Sequence, residues 1–214
     1  MVVRRTSSIL GLGVVLFALA GALSQAQVET PDYHIAYSGS PDAVVIEYDV
    51  ESAIKKIDDT PLMRIYGDGR VHVHRQPYRE GAGDYEMHLT EKQLADLLQL
   101  MHDNGALSFD TKSVAQDLRA SKAARANSAR SGRAVLTERS DVEVTIIRVN
   151  LDAYQASTNS ARQSRVQKEI RCVDLRNNAD EHPQVTALTD LADVEGSLKA
   201  MAHDARLRAV GGAR

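Results

Sequence analysis

The stretch that decides the fold covers residues 61–104 and reads PLMRIYGDGRVHVHRQPYREGAGDYEMHLTEKQLADLLQLMHDN. Short runs that alternate apolar and polar residues, separated by glycine-containing turns, predict two successive β-hairpins. The leucine spacing that follows predicts an amphipathic helix, which begins without a linker. The rest of the chain is expected to add strands on each side and a closing helix.

Two registers fit the first hairpin around its turn, Gly67-Asp68-Gly69. A two-residue turn would place Ile65 opposite His72 and would mix apolar with polar side chains on one face. A three-residue loop, with Gly69 in the left-handed conformation, pairs apolar with apolar residues. Because a one-residue slip turns every side chain to the other face, we predict the three-residue loop. The apolar face then consists of Met63, Ile65, Val71 and Val73.

Residues 85–89 have the same alternation and are predicted to form the next strand. Pairing Val73 with Met87 keeps the apolar face continuous. On the opposite face this register places His72 opposite His88. The other expected pairs are Val71 with Leu89, His74 with Glu86 and Arg64 with His72.

Residues 90–105 carry the signals of a capped helix. Thr90 and Gln93 match the capping box, in which each side chain accepts the other residue's backbone N–H. Asn104-Gly105 fits the helix end, because glycine adopts the left-handed conformation without strain. The stripe expected to be buried consists of Leu94, Leu97, Leu98 and Met101.

Residues 1–26 have the order of a secretory signal peptide. Two arginines precede an apolar run at 9–23, and Ser24-Gln25-Ala26 follows the run. The run is shorter than the ~18 residues of a membrane span, so we predict cleavage after Ala26, or after Ala22 as second choice. The chain is therefore expected to be exported, as a periplasmic or secreted protein without a stable membrane span. An uncleaved N-terminal anchor is the alternative.

Removal of this signal leaves 188 residues, enough for one domain with a hydrophobic core. The remainder has 24 basic and 29 acidic residues, because the signal contains two arginines and no acid. The resulting net charge of −5 argues against nucleic acid as a partner. Cys172 is the only cysteine, so no internal disulfide can form, and we expect this side chain to be buried.

Outside the hairpin–helix stretch, apolar patterns predict one strand before it and two strands and a helix after it. The expected boundaries are 27–42 for a flexible leader, 43–50 for the first strand, 141–152 and 168–175 for the later strands, 184–203 for the last helix and 205–214 for a frayed tail. The apolar parity changes at Ile146-Ile147, which indicates a bulge or a strand covered on both faces. Residues 177–183 are expected to break the chain, and residues 43–204 to form a single domain.

Residues 112–133 differ in composition from the rest of that domain. They contain six basic residues, one acid and many alanines and serines, with Val114 and Leu118 as potential helix contacts. We predict a basic mobile insertion with at most a turn or two of helix. Its charge suits contact with an envelope protein or an anionic surface, such as acidic lipid headgroups or a polyanionic envelope polymer; the alternative is a solvated loop.

The element order is therefore ββββα, the insertion, and then ββα. Hairpins combined with helices that do not alternate with strands indicate the α+β class. We predict an antiparallel sheet of about six strands with two helices packed on one face. The other face is expected to be at least partly exposed to solvent.

The polar face of the hairpins contains a candidate metal site. Residues two apart on a strand lie about 6–7 Å apart on the same face, which brings His72 and His74 together. With His88 opposite His72, three imidazoles would resemble a three-histidine zinc site, and Glu86 could orient them or act as a fourth ligand. Arg64 beside His72 opposes a cation. The alternative is that these are ordinary polar residues of an exposed strand.

Other chemical signatures are missing from the sequence. No serine lies in a nucleophile-elbow pattern, and Cys172 has no evident histidine partner. The glycines at 67–69 and 81–83 lack the strand and helix context of a phosphate-binding loop. The absence of tryptophan and the 4% aromatic content disfavour a stacking groove for sugars or bases. We therefore assign no catalytic, cofactor-binding or metal-ligating residue and expect no cofactor.

Residues 61–107 resemble a loosely defined group of uncharacterised exported bacterial proteins. The shared pattern is P-x-x-x-I-Y-G-D-G-R-V, then a strand, then H-L-T-E-K-Q-L-A-D-L-L and a closing Asn-Gly. The pattern covers about a quarter of the chain. The resemblance implies an exported protein with a hairpin–helix unit and brings no assigned activity.

Two functions remain open from the sequence. We predict an exported, non-enzymatic module that binds another macromolecule through the open sheet face or the basic insertion. The alternative is a zinc- or copper-binding protein that uses His72, His74 and His88.

Overall fold

The computed structural model describes residues 32–52, 58–130 and 142–211. The strands in these ranges are β1 (His34–Ala36), β2 (Val44–Glu51), β3 (Met63–Tyr66), β4 (Arg70–Arg75), β5 (Gly83–His88), β6 (Val144–Gln155), β7 (Gln163–Val173) and β8 (Arg208–Ala209). The helices are α1 (Glu91–Asp103), α2 (Thr111–Arg130), α3 (Leu175–Glu181) and α4 (Thr186–Met201), with a short 3₁₀ helix at Ala106–Ser108.

The strands form one antiparallel sheet in which most neighbours in sequence are also paired. β2, β3, β4 and β5 follow the order of the chain, and β8 pairs with the other side of β5. β6 pairs with β2 on one side and with β7 on the other. β1 continues the line of β2 along the C-terminal part of β6. The predicted class, α+β with an antiparallel sheet and helices, is confirmed, although the described residues contain four α-helices where two were predicted.

The β3–β4 hairpin has the predicted three-residue loop. Its apolar pairs are Met63–Val73 and Ile65–Val71, and all four side chains are buried. Gly69 has a positive φ of 91°, a conformation that glycine adopts most readily. The carbonyl of Gly69 accepts the N–H of Leu89 at 2.8 Å. This bond joins the hairpin turn to the residue that precedes the cap of α1.

The predicted features of α1 are confirmed. The Thr90 hydroxyl accepts the N–H of Gln93, and the Gln93 side chain accepts the N–H of Thr90. Gly105 follows the C-terminal cap with a φ of 66°. The 3₁₀ helix then returns the chain to the core, where Phe109 is buried. The buried stripe of α1 consists of Leu94, Leu97, Leu98 and Met101.

One hydrophobic core lies between the sheet and the helices. Alternate strand residues supply its sheet side, and all four helices contribute to the same cluster. Among its fully buried members are Tyr48, Ile65, Leu98, Ile147 and Leu188. Burying one such side chain contributes about 1.5–3 kcal/mol, so the contact between sheet and helices is a main source of stability.

β6 is covered on both faces where its apolar parity changes. Ile146 and Ile147 are successive strand residues and point to opposite faces, and both are buried. Pairing with β2 and with β7 continues through both positions. Of the two predicted explanations, the covered strand is therefore the one found. The irregularity in pairing lies instead in β2, between Val44 and Ile46.

The ends of the domain differ from the prediction. The described residues contain eight strands rather than about six, because His34–Ala36 in the expected leader pairs with β6 and Arg208–Ala209 in the expected frayed tail pairs with β5. Strands of two or three residues are too short to show a period. Residues 177–183, expected to break the chain, largely belong to α3. The expected signal peptide lies outside the described residues, as do residues 27–31 and 212–214.

The Gly67→Ala substitution is expected to lower the free energy of unfolding by about 3 kcal/mol. An added Cβ would lie 1.7 Å from the carbonyl oxygen of Ser38, a backbone atom that cannot rotate away. Gly39→Ala is the matched control, because nothing lies within 4 Å of its Cβ position, and it should change this free energy by less than about 1 kcal/mol. Urea unfolding measures both variants, and equal losses would contradict the close contact at Gly67.

Candidate functional site

β4 pairs with β5 two residues away from the predicted register. The predicted partners of Val71 and Val73 were Leu89 and Met87, and the observed partners are Met87 and Tyr85. A two-residue slip leaves every side chain on its predicted face, so the alternation of the sequence does not distinguish the two registers. The prediction of the buried face is confirmed, and the prediction of the pairing is wrong.

Contacts at the loop end of this hairpin account for the observed register. The guanidinium of Arg75 lies 4.3 Å from the centre of the Tyr85 ring. The Tyr85 hydroxyl donates to the carbonyl of Gly81 at 2.8 Å. Both contacts hold Tyr85 close to the loop and opposite Val73.

The observed register also rearranges the three histidines of the predicted metal site. His72 lies opposite Glu86 and His74 opposite Asp84, whereas His72 was predicted to face His88. His88 is exposed at a different strand position. Within the described ranges, no group of three His, Cys, Asp or Glu side chains could hold a metal ion. The pairing on which the metal alternative was based is therefore wrong.

Two of these histidines instead lie in a chain of imidazoles and carboxylates. Oδ1 of Asp84 is 2.8 Å from Nδ1 of His74 and 3.4 Å from Nε2 of His72. On the far side, Nε2 of His74 is 3.4 Å from Oδ2 of Asp58, an ion-pair distance without hydrogen-bond geometry. Hydrogen bonds from Thr60, and next the charge of His74, lower the pKa of Asp58. The chain links the β2–β3 connection to the polar face of the sheet.

A row of charged side chains crosses this polar face. Direct strand partners connect, in order, Arg208 on β8, Glu86 on β5, His72 on β4, Arg64 on β3, Glu47 on β2, Arg148 on β6 and Glu169 on β7. The Glu47 carboxylate lies 3.1 Å from Nε of Arg64 and 2.5 Å from Nη1 of Arg148. Nε of Arg148 is 2.7 Å from the Glu169 carboxylate. Apart from His72, charges of opposite sign therefore alternate across the sheet and largely neutralise one another.

α2 occupies most of the segment predicted to be a mobile insertion. The Asp110 side chain accepts the N–H of Lys112 at 3.0 Å, and its carbonyl accepts the N–H of Val114, so Asp110 begins the helix. Helical spacing places Val114, Leu118 and Ser121 on the side that packs on the domain, where Val114 and Ser121 are buried. The helix is longer than the one or two turns predicted, because this narrow inner stripe is a weak periodic signal.

A polar contact fastens this inner side of α2 to the chain after α3. Oγ of Ser121 is 2.6 Å from Nδ1 of His182, and the Gln184 amide donates to the same hydroxyl. The Arg125 guanidinium donates to the last carbonyl of α3 at 3.1 Å. Ser121 is 9% and His182 2% exposed, so this serine–histidine pair is a packing contact and not an accessible nucleophile.

The outward side of α2 is basic. Lys112, Arg119 and Arg130 are separated by 7 and 11 residues, which places them within about 20° of one another around the helix. All three are exposed, as is Lys122 on the flank. Among the residues that the structure describes, none of the four has a carboxylate at ion-pair distance.

One carboxylate is buried in the core beneath α4. Glu195 is 1% exposed, and its Oε1 accepts hydrogen bonds from the hydroxyls of Thr145 at 2.6 Å and Tyr48 at 3.4 Å. Nζ of Lys199 lies 3.2 Å from the same oxygen. Oε2 is buried without a hydrogen-bond partner in the described part of the chain. Burial, and next the charge of Glu195, raise the pKa of Cys172 to about 11, so the thiol is a poor nucleophile.

Sequence reasoning missed these buried polar contacts, although one of them has a signal. Glu195 follows Leu191 by four residues and Leu188 by seven, so it lies within the apolar stripe of α4. A charged residue in such a stripe indicates a buried partner. Ser121 and His182 are 61 residues apart and have no comparable signal.

Comparisons with protein-family models, with curated proteins and with solved structures find no match for this chain. Within the described ranges, no helix has both the length and the apolar character needed to cross a membrane. The function is therefore inferred from the geometry and charge of this chain.

Acidification is expected to loosen α2 before it affects the centre of the sheet. Burial, and next the positive charges of Lys122 and Arg125, lower the pKa of His182, while Glu181 acts in the opposite direction. The unfolded state therefore binds the proton more tightly. The contribution to stability is complete above the ordinary histidine pKa of about 6.5 and decreases as the pH falls below it.

Hydrogen exchange of the α2 amides at pH 7 and at lower pH measures this effect, with the amides of β2 as the internal reference. His182→Gln keeps a polar side chain that does not titrate, so the protection of the α2 amides, taken relative to the intrinsic exchange rate at each pH, should no longer decrease on acidification. Identical pH dependence in the wild type and in this variant would contradict the role of His182.

Proposed function

We propose that the protein is an exported, non-enzymatic binding module that uses the outward side of α2 to bind an anionic surface. Export is supported by the arginine, apolar and small-residue order of the first 26 residues. A non-enzymatic role is supported by the burial of the Ser121–His182 pair and by the raised pKa of the Cys172 thiol.

Two charged surfaces of the molecule differ in how their charges are partnered. On the sheet face, Arg64 and Arg148 each have a carboxylate within 3.1 Å. An external anion would have to displace these pairs, and exposed ion pairs contribute little net energy when they are exchanged. The outward cations of α2 have no carboxylate partner among the described residues and can interact with an external anion without this loss. This contrast favours α2 over the sheet face.

The spacing of these cations favours an extended anionic surface over a compact anion. With a rise of about 1.5 Å per residue, Lys112 and Arg119 are about 10 Å apart along the axis, and Arg119 and Arg130 about 16 Å apart. The Debye length at physiological ionic strength is about 8 Å, so each cation acts largely alone. A single phosphate cannot contact all three, whereas a surface with many dispersed charges can.

The side chains between the cations favour lipid headgroups over a protein partner. Gln116, Ala123 and Asn127 are exposed on the same side of α2, which has no aromatic or large aliphatic residue there. Protein interfaces depend on large anchors in apolar pockets, and helices that insert into bilayers have a broad apolar face. Each cation near an anionic bilayer contributes about 1 kcal/mol, so three give about 3 kcal/mol, a weak and salt-sensitive contact.

Sedimentation with lipid vesicles tests this proposal. The protein should bind vesicles of phosphatidylcholine with phosphatidylglycerol and not vesicles of phosphatidylcholine alone. Binding should weaken as salt is raised from about 0.01 M to about 0.15 M, since the Debye length falls from about 30 Å to about 8 Å. The K112Q/R119Q/R130Q variant should bind about 100-fold more weakly, which corresponds to the loss of about 3 kcal/mol.

The matched control removes three exposed cations from other elements: Lys92, Arg162 and Arg206. This control has the same net charge as the α2 variant and should bind nearly as well as the wild type. Equal losses in the two triple variants would show an effect of net charge alone and would contradict a specific α2 surface. Binding to the uncharged vesicles would contradict the electrostatic mechanism.

A further inference from the structure

A cavity of about 770 Å³ lies where the end of β2, the start of β3 and the end of β4 meet the C-terminal end of α4. This volume is within the range of about 300–1,000 Å³ that is typical of small-molecule sites. We propose that the cavity binds a small amphipathic anion, namely an organic carboxylate with an apolar chain. This site is separate from the outward side of α2 and does not depend on it.

The apolar part of such a ligand would contact a preformed floor. Val50 and Leu62 are half-buried and present apolar surface to the cavity, and its other apolar lining residues, Tyr48, Val73 and Ala202, are almost completely buried. Each of them belongs to the hydrophobic core or packs against it, so their positions are fixed before a ligand binds. A rigid apolar surface suits a hydrocarbon chain, because burying apolar area is favourable and little of the protein has to be ordered.

The carboxylate would contact two arginines in the wall of the cavity. Arg75 is held in place because it donates to the Ala202 carbonyl at 3.1 Å and lies over the Tyr85 ring. Its guanidinium has five N–H donors, so several remain for a planar carboxylate. Arg79 lines the same cavity from the β4–β5 loop. Neither arginine has a carboxylate at ion-pair distance among the described residues.

The other charged groups of the cavity either have partners within the protein or are exposed to solvent. The Asp49 carboxylate accepts the N–H groups of Val50 at 2.9 Å and Leu62 at 3.2 Å. Lys199 is directed to the buried Glu195. The remaining acidic residues, Glu80 and Glu143, are exposed to solvent, where salt and water screen them.

The two histidines of the cavity also have partners. Nδ1 of His74 is bound by Asp84, and Nδ1 of His203 lies 2.9 Å from the carbonyl of Lys199. The half-buried Arg75 is therefore the charge best placed to act on a ligand, and its sign selects an anion.

Three probes with the same ten-carbon chain test the apolar chain and the anionic group of the proposed ligand separately. Decanoate carries the anion, decanol is neutral and decyltrimethylammonium is cationic. Titration of the purified protein below the aggregation concentration of each probe, followed by amide shifts in NMR spectra, reports affinity and location. Decanoate should bind at least about tenfold more tightly than decanol, the value of one charge-assisted hydrogen bond, and should shift the amides of Leu62, Arg75 and Ala202. The cationic probe should bind most weakly.

Substitutions of the two arginines locate the anion. Arg75→Gln should weaken decanoate binding about tenfold and Arg79→Gln about threefold, because Arg79 is exposed and screened by solvent; both should leave decanol binding unchanged. Arg79 is exposed in a loop, so its variant tests the site even if Arg75→Gln perturbs the fold. Arg162→Gln, in the β6–β7 loop, is the matched control and should bind like the wild type. Equal affinity for decanoate and decanol, no saturable binding of decanoate, or unchanged decanoate binding in the Arg79 variant would overturn the proposal.

Discussion

The contact between the apolar face of the β3–β4 hairpin and the leucine stripe of α1 is the interaction on which the rest of the structure depends. Gly69 connects the two elements directly, because its carbonyl accepts the N–H of Leu89 one residue before the helix cap. Ile65 and Leu98, on the two sides of the core, are 0% and 1% exposed. Once this face is buried, the two-residue period of the strands directs the intervening polar side chains to the opposite face. The charged row and the imidazole–carboxylate chain are therefore consequences of the same packing.

Features that depend on neighbouring residues could be predicted from the sequence, and features that depend on distant pairing could not. The loop of the first hairpin and the caps of α1 are determined within a few positions, and both predictions are confirmed. The predicted β4–β5 register is wrong because a slip of two residues preserves the face of every side chain. Contacts that alternation does not encode, such as those of Tyr85 with Arg75 and with the Gly81 carbonyl, accompany the observed register. The expected three-histidine arrangement depended on that register, so it was wrong for the same reason. β1 and β8 are too short to have a pattern at all.

The polar face of the sheet and the outward side of α2 differ in how their charged side chains are paired, and this difference has a structural origin. In the sheet, β2 pairs with both β3 and β6, which brings Glu47 between Arg64 and Arg148. These two arginines lie on strands that are far apart in sequence. The tertiary fold thus neutralises charges that appear unrelated along the chain. α2 has the opposite arrangement, because Val114 and Ser121 occupy its inner side whereas Lys112, Arg119 and Arg130 lie on its exposed outward side. Net charge over the whole chain does not report this separation, which exists only in the folded protein.

The buried Glu195 gives α4 a fixed orientation on the sheet, and this orientation builds one wall of the cavity. Its carboxylate accepts hydrogen bonds from the hydroxyls of Thr145 on β6 and Tyr48 on β2. Both bonds can form only when α4 lies across these strands with one particular rotation about its own axis. Leucine contacts alone would constrain that rotation less, because apolar packing lacks the directionality of a hydrogen bond. The same rotation places the carbonyl of Ala202 where Arg75 on β4 can donate to it. The bonds of Glu195 to the sheet and the bond of Arg75 to Ala202 are therefore linked through the orientation of α4.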